Sequence, residues 1–434
     1  MGRFIKNVVV PNRRRIFAAI MARVLEEFGV TRWDAFLDGT KQEANANKYK
    51  FVWDPITYHR RLTARLSDMA ERLGLEFHAP ADGLVKASEA ARLHSEIAAM
   101  GGHERDAKAT MAIALKVAEY EVLEAICGPG RKSFYKTDRD ATAMCLKRDY
   151  YSGLGSNMHA AYNVQAITIA GLPVCCIVTQ SRTDIGDFVD AMEAFREMYG
   201  RLPDNVGADA GYGSKENYGY LERNGVGNYV KHQSWDGNAT ATYPDSVRAE
   251  LDGRLFCLAG KEATEVRLEN RHPRKAGYSF FRVDGCLECP FAAYCKRFMK
   301  DQTEDFKIFE LDREFLVMKR RAEENLLSPK GIEMRVNRSV QAEGIFGIAK
   351  QDELFDRFRR RGIENVECEF ILHLLGIAIG RLLRYYKTGK KPTLWTAPEG
   401  LRAQQFKKPS SKKLAKKGKR INRKQYKDAD EQKQ

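Results

Sequence analysis

The alternation of apolar and polar positions divides the chain into stretches of different period. In RRRIFAAIMARVLEEFG, residues 13–29, Ile16, Ile20, Val24, Leu25 and Phe28 recur at helical spacing, and Gly29 supplies a C-cap. RWDAFLDGT then predicts a short strand ending at Asp38–Gly39. From about Asp54 to Arg131 the pattern is mostly helical, most clearly in ALKVAEYEVLEAICG. MHAAYNVQAITIAGLPVCCIVTQ carries two runs of β-branched and aromatic residues, and the break at Gly171–Leu172–Pro173 predicts a hairpin. An amphipathic helix follows in DIGDFVDAMEAFREMYG, opened by acidic residues and closed by Gly200. DNVGADAG, SKENYGYLERNG and GNYVKH predict a strand, a helix and a strand.

The predicted order is strand, helical insertion, hairpin, helix, strand, helix, strand, which is an α/β arrangement. Residues 235–330 break this rhythm with polar, Gly- and Cys-containing sequence and predict a second insertion. A long helical region follows, from MRVNRSVQAEGIFGIAK through EFILHLLGIAIGRLLRYY. The latter is apolar nearly all round and predicts a buried core helix; it is short for a membrane span and interrupted by Arg381. Five segments result: a short helical segment (1–30), the first part of a core (31–232, with an insertion at about 54–131), a Cys-bearing insertion (233–330), a helical remainder (331–405) and a tail (406–434).

Composition sharpens this picture at two points. From Lys407 onward there are twelve Lys/Arg against three Asp/Glu, so this end holds nine of the fifteen net positive charges. A basic tail with few apolar residues is expected to be disordered and to attract phosphate backbones through counterion release. Nine cysteines scattered over 434 residues point to a reducing compartment rather than a disulfide framework. No apolar run reaches the length of a membrane span, and the N-terminus has no secretory pattern, so a cytoplasmic, nucleoid-associated protein is expected.

The candidate chemistry lies in carboxylates and thiols. Asp38 in AFLDG and Asp209 in VGADAG each close an apolar strand and lead into glycine, which is where α/β sheets place ligand sites. Glu343 lies on a predicted helix with Lys350 two turns further on the same face, Arg338 just over a turn before, and Ile345, Phe346 and Ile348 as its apolar side. Three carboxylates from two strands and a helix suit two divalent cations, Mg²⁺ or Mn²⁺, roughly 3.5–4 Å apart. Arg357 and Arg361 in FDRFRRRG, interleaved with Phe, are candidates for DNA phosphates. Cys286, Cys289 and Cys295, with Cys257 upstream, are a candidate set for a structural Zn²⁺. Asp138 and Asp140 are expected either near the site or in a solvated pre-strand turn, and Asp184 and Asp187 are expected to cap their helix.

Three blocks, FLDGTKQEANANKYKFVW, ADAGYGSKENYGYLERNGVGNYVKH and MRVNRSVQAEGIFGIAKQDELFDRFRRRGIENV, resemble signature blocks of bacterial insertion-sequence transposases of the DDE class. KTDRDATAM with AYNVQAIT resembles a fourth, and together they cover roughly residues 30–390. The resemblance implies an RNase H-like mixed sheet flanked by helices, with a helical insertion after the first strand and a Cys-containing insertion before the last catalytic helix. It also implies a metal-binding triad of Asp38, Asp209 and Glu343. Of the tyrosine–arginine–glutamate–lysine signature around the third acid, Lys350 stands in place; Val336 and Ser339 occupy the first two positions, with Arg338 one residue off.

The activity implied is cleavage of double-stranded DNA at element ends and strand transfer to target DNA by the 3′ hydroxyl, in at least a homodimer. Family members carry a longer helical region before the first acid, where this sequence has about 30 residues. The alternatives are a truncated or domesticated DNA-binding remnant, and a metal-dependent nuclease.

Overall fold

The computed structural model describes residues 2–128, 131–146, 158–233, 235, 247–268 and 277–404, with Glu343 described in its backbone only. The basic tail expected at 406–434 lies outside the described residues. After a short N-terminal turn, helix α1 (Arg13–Glu27) precedes strand β1 (Asp34–Glu43) and the short β2 (Phe51–Trp53). Three helices follow: α2 (Pro55–Arg72), α3 (Ala87–Ala99) and α4 (Glu104–Cys127). Then come β3 (Ser133–Tyr135), β4 (Thr142–Cys145), β5 (Met158–Ile169), β6 (Leu172–Thr179) and helix α5 (Asp187–Tyr199). Strand β7 (Asn205–Ala208), helix α6 (Lys215–Arg223) and strand β8 (Gly227–Val230) complete the first sheet.

Five strands form the second sheet: β9 (Val247–Ala249), β10 (Leu255–Cys257), β11 (Glu262–Val266), β12 (Ser279–Asp284) and β13 (Phe306–Leu311). Helices α7 (Arg313–Leu327), α8 (Pro329–Gly347) and α9 (Ile363–Thr388) end the described chain.

The first sheet is mixed. β5 pairs antiparallel with β1 on one side and with β6 and β4 on the other. β1 pairs parallel with β7, and β7 parallel with β8. Alternation along β1 sorts its side chains between two layers. Ala35 and Leu37 belong to the main core, with Phe17 of α1, Phe188 of α5 and Phe370 of α9. Phe36 faces the other way and packs with Met334 and Ala342 of α8. The sheet is therefore sandwiched between α1, α5 and α9 below and α8 above.

Helix α8 runs along β1, and polar ties fix its place. The Lys330 ammonium reaches Asp34 at the start of β1, and Gln341 Oε1 accepts from the Gly171 amide in the β5–β6 turn at 2.7 Å. The chain after α9 returns along α8, where Asn337 and Trp395 exchange hydrogen bonds of 2.8 and 2.9 Å. Beneath the sheet, Glu367 of α9 is buried and accepts from Arg13 and Arg14 of α1.

Two sequence expectations change. RWDAFLDGT does not end its strand at Asp38–Gly39: β1 continues to Glu43 because β5 keeps pairing with it from Asp38↔Ala166 to Glu43↔Ala161. The apolar helix α9 is buried only along part of its surface. Phe370, Leu374 and Ala378 lie in the core, whereas Leu372, Ile379, Leu383 and Tyr386 are exposed.

The helices α2, α3 and α4 form their own core around Leu66, Leu93, Ile97 and Val117. His59 is buried among them, one ring nitrogen 2.6 Å from Glu124 and the other 2.9 Å from the Val85 carbonyl oxygen. Among the described residues no helix is long and apolar enough to cross a membrane.

Candidate active site

The junction of β1 and β7 brings the first two acids together. The parallel pairing runs from Asp34↔Asn205 to Leu37↔Ala208, so Asp38 and Asp209 are the next residues on neighbouring strands, about 4.8 Å apart in strand spacing. Alternation gives both the same face. Asp38 follows Phe36 by two, and Asp209 follows Gly207 by two. Gly207 lies under Phe36 and Met334: a Cβ there would sit 3.2 Å from the Phe36 ring. Both acids thus belong to the layer that α8 covers.

Each acid accepts from a nearby backbone amide. Asp38 Oδ1 accepts from the Gly39 amide at 3.0 Å, and Asp209 Oδ1 from the Gly211 amide at 2.8 Å. Asp209 is the cap of a single 3₁₀ turn, Ala210–Tyr212, which swings the chain off the sheet. Gly213 follows because a side chain there would strike the end of β8: its Cβ would lie 2.5 Å from the Lys231 carbonyl oxygen. Both carboxylates are half-buried.

Glu343 is in α8, directly after Ala342, which packs on Phe36 two residues before Asp38. Its backbone is thereby brought to the same layer as the acid pair. Lys350 follows on a π-helical turn (Ile348–Asp352), and its ammonium donates to Thr40 Oγ1 at 2.7 Å and to the Lys41 carbonyl at 3.0 Å. A positive charge thus rests on β1 two residues beyond Asp38. Arg338 lies on α8 between Met334 and Ala342 and is half-buried.

Arg357 and Arg361 are placed differently from a phosphate-tracking face. Arg357 donates to the carbonyls of Ala44 (3.1 Å) and Ala46 (3.2 Å), with Glu43 3.6 Å away; Arg361 donates to the Asn45 carbonyl at 2.8 Å. Both guanidinium groups brace the chain as it leaves β1.

The four cysteines of the second sheet sit in turns. Cys257 ends β10, Cys286 and Cys289 lie in the bend after β12, and Cys295 closes the short helix Ala292–Cys295. Burial pushes the Cys286 thiol up, and the Cys295 thiol up to about 11. Among the described residues no group of three Cys, His, Asp or Glu side chains is arranged to hold a metal. The thiols expected to bind Zn²⁺ come from three separate segments, and Cys257, Cys286 and Cys289 lie near enough to Cys295 to add to the rise of its pKa.

Beneath the acid pair lies a polar cluster that sequence reasoning missed. Asn163 and Gln165 of β5 are buried on the α5 side. Asn163 donates to Asp184 (2.8 Å) and Asp187 (2.9 Å), Gln165 to Asp184 (3.0 Å), and Thr179 to Asp187 (2.7 Å). The Tyr212 hydroxyl donates to Gln165 Oε1. Burial, then the carboxylates of Asp184, Asp38, Asp209 and Asp187, hold the Tyr212 phenol well above its ordinary pKa. Asp184 and Asp187 therefore turn inward rather than capping α5, whose cap residue Gly186 makes no side-chain bond. The sequence signal was the pair of amides at alternate positions of the otherwise apolar strand AYNVQAIT.

Asp138 and Asp140 lie in the turn before β4, as expected, but they face α9 rather than solvent. Asp138 is buried and accepts from the Tyr162 hydroxyl (2.9 Å) and the Gly362 amide (3.2 Å); Asp140 accepts from the Ile363 amide (2.9 Å). Together they receive the first amides of α9.

An acid pair at a parallel-strand junction thus lies under the helix that carries a third acid, with Lys350 on the turn that follows it. Residues 256–383 match the family described as Transposase DDE domain. The match covers less than a third of the chain and supports an insertion-sequence DDE transposase. The match begins in the second sheet, spans α7 and α8, and ends inside α9, so it contains Glu343 and Lys350, while Asp38 and Asp209 lie before it. No curated protein and no solved structure matches the chain. A transposase-type function on a DNA substrate follows from the matched domain.

Proposed function

We propose that this transposase cleaves double-stranded DNA at the ends of an insertion sequence and joins the exposed 3′ hydroxyl to target DNA, using two divalent cations held by Asp38, Asp209 and Glu343. The observation that carries the reading is the register of β1 and β7, which makes Asp38 and Asp209 neighbours on the face covered by α8. The order β6-β5-β1-β7-β8, three antiparallel strands followed by two parallel ones, supports an RNase H-like core.

The donor chemistry fits the cations. Carboxylate oxygens are the ligands Mg²⁺ and Mn²⁺ prefer, and the half-buried positions of Asp38 and Asp209 leave room for a substrate phosphate. Asp38, Asp209 and Glu343 would hold the cations, which would supply activation of the attacking water or hydroxyl and stabilisation of the leaving oxygen. Asp38 and Asp209 hold their side of the site through the sheet ladder and the amides of Gly39 and Gly211. The Lys350 ammonium, fixed on Thr40, offers a positive charge to a phosphate entering along β1. A homodimer that synapses two DNA ends, and a nucleoid location, belong to the same proposal.

The test is a strand-transfer assay with a labelled, precut end, a supercoiled target and Mg²⁺ or Mn²⁺, beside the Asp209→Ala variant. Joined products that need the cation and vanish in the variant support the proposal. Cuts without joining make the protein a nuclease, and retention of DNA without products in either sample makes it a DNA-binding remnant.

A further inference from the structure

The ladder between β1 and β7 stops at Leu37 and Ala208, one residue short of both acids. Beyond it β1 continues against β5, while the chain after Asp209 turns away. At this point a side chain takes over from the sheet. The Tyr212 ring is 1% exposed, and its hydroxyl passes beneath β1 to reach Gln165 Oε1 on β5. Gln165 is the residue that pairs with Gly39.

The fit under Gly39 is close. A Cβ on that residue would lie 2.7 Å from each Gln165 amide atom and 2.8 Å from the Tyr212 hydroxyl oxygen. No side chain can be added there without displacing both groups. The glycine after Asp38 is thus explained by what lies under it, not by a turn, since β1 runs straight through.

The Gln165 amide has its orientation fixed from both ends, accepting from the phenol and donating to Asp184. The other side of Tyr212 is pinned as well, because Asn217 donates to its carbonyl at 2.8 Å and to the Ile185 carbonyl at 2.9 Å. The phenol therefore joins the Asp209 turn, β5 and the segment before α5 at a point one residue from Asp38 and three from Asp209.

We propose that Tyr212 is a positioning residue for the acid pair: its hydroxyl, held by Gln165 beneath Gly39, sets the separation of Asp38 and Asp209 and with it the affinity for divalent cations. The inference rests on the reading of these two acids as cation ligands. Removing the hydroxyl leaves Gln165 Oε1 buried without its donor and frees the amide to turn, so the support beneath β1 loses its defined shape.

The experiment is Mn²⁺ binding to the full chain without DNA, followed by electron paramagnetic resonance, together with melting temperature and DNA retention in chelator. Tyr212→Phe is expected to weaken Mn²⁺ binding about tenfold or more, the scale for partners that orient metal ligands, with melting temperature lowered only slightly and DNA retention unchanged. Gly39→Ala, which displaces both partners, is expected to weaken it further.

Unchanged Mn²⁺ affinity in Tyr212→Phe, with binding lost in Asp209→Ala, overturns the inference and leaves the cation reading standing. Wild-type binding in Asp209→Ala overturns the cation reading itself. If Tyr212→Phe melts early, Asp184→Ala decides at a half-buried position, by removing the acceptor at the far end of Gln165. Several-fold weaker binding supports the inference and wild-type binding overturns it.

Discussion

In the first sheet, two acids stand side by side because parallel strands in register put them there, and a buried polar cluster lies beneath. In the second sheet, four cysteines sit in turns between antiparallel strands, and Cys257 and Cys286 pack against an apolar core of Phe281, Phe309 and Leu311. One region orients its candidate ligands with hydrogen bonds; the other leaves its candidates half-buried at the ends of strands and turns. The two regions thus differ in how firmly hydrogen bonds fix their candidate ligands.

The sharpest way to break this contrast is to exchange ligand atoms in both regions. Asp38→Asn or Asp209→Asn is expected to lower the DNA cleavage rate on the order of 10³-fold or more, the scale of losing a catalytic group. Cys289→Ser is expected to leave it within about twofold. Comparable losses in steady-state cleavage assays would make the cysteine region part of the catalytic machinery.

The next effect concerns how the first sheet is held from below. Glu367, buried against Arg13 and Arg14, is expected to cost about 3–5 kcal/mol on change to Ala, because two guanidinium groups lose their buried partner. Thermal or urea unfolding reads this directly, and a loss below about 1 kcal/mol would show the pair to be ornamental.

A smaller effect should appear with pH. Burial by itself raises the Asp34 carboxyl, but hydrogen bonds from Lys330 and Asn205 and the nearby Lys330 and Arg32 charges outweigh it, holding the group below its ordinary value. Buried Glu323 is likewise held down by His232, Arg248 and Arg320 against its own desolvation. A carboxyl with a depressed folded pKa contributes stability above its unfolded pKa of about 4 and loses it as pH falls through the folded value. Both groups anchor α7 and α8, so melting temperature is expected to fall below about pH 4. Asp34→Asn should flatten part of that fall.

The smallest expected change is in the second region. Cys289→Ser should cost about 1 kcal/mol or less, and its neighbours should react with a thiol reagent without prior chelation. Protection that a chelator releases would turn these turns into a metal centre.

How much of this was legible in the sequence depends on what fixed each feature. The strands around Asp38 and Asp209 showed through because apolar runs lead into glycine. The continuation of β1 through TKQE did not, since those residues are polar and their pairing comes entirely from β5. The inward turn of Asp184 and Asp187 was hidden because a helix cap has the same residue types, and only the amides of Asn163 and Gln165 hinted otherwise. Arg357 and Arg361 read as a basic face, yet carbonyls of a segment more than 300 residues earlier claim them. The apolar seam of α9 read as wholly buried because hydropathy carries no information on which side the core lies.

The central claim is that the segments carrying Asp38, Asp209 and Glu343 surround one cation site. Fe²⁺ bound in place of the native cation, with ascorbate and peroxide, cuts the backbone near wherever it sits. Cuts clustered around all three acids, suppressed by excess Mg²⁺ and absent in Asp209→Ala, are the expected result. Cuts missing from any one of the three segments, or concentrated around Cys286 and Cys289, would contradict it.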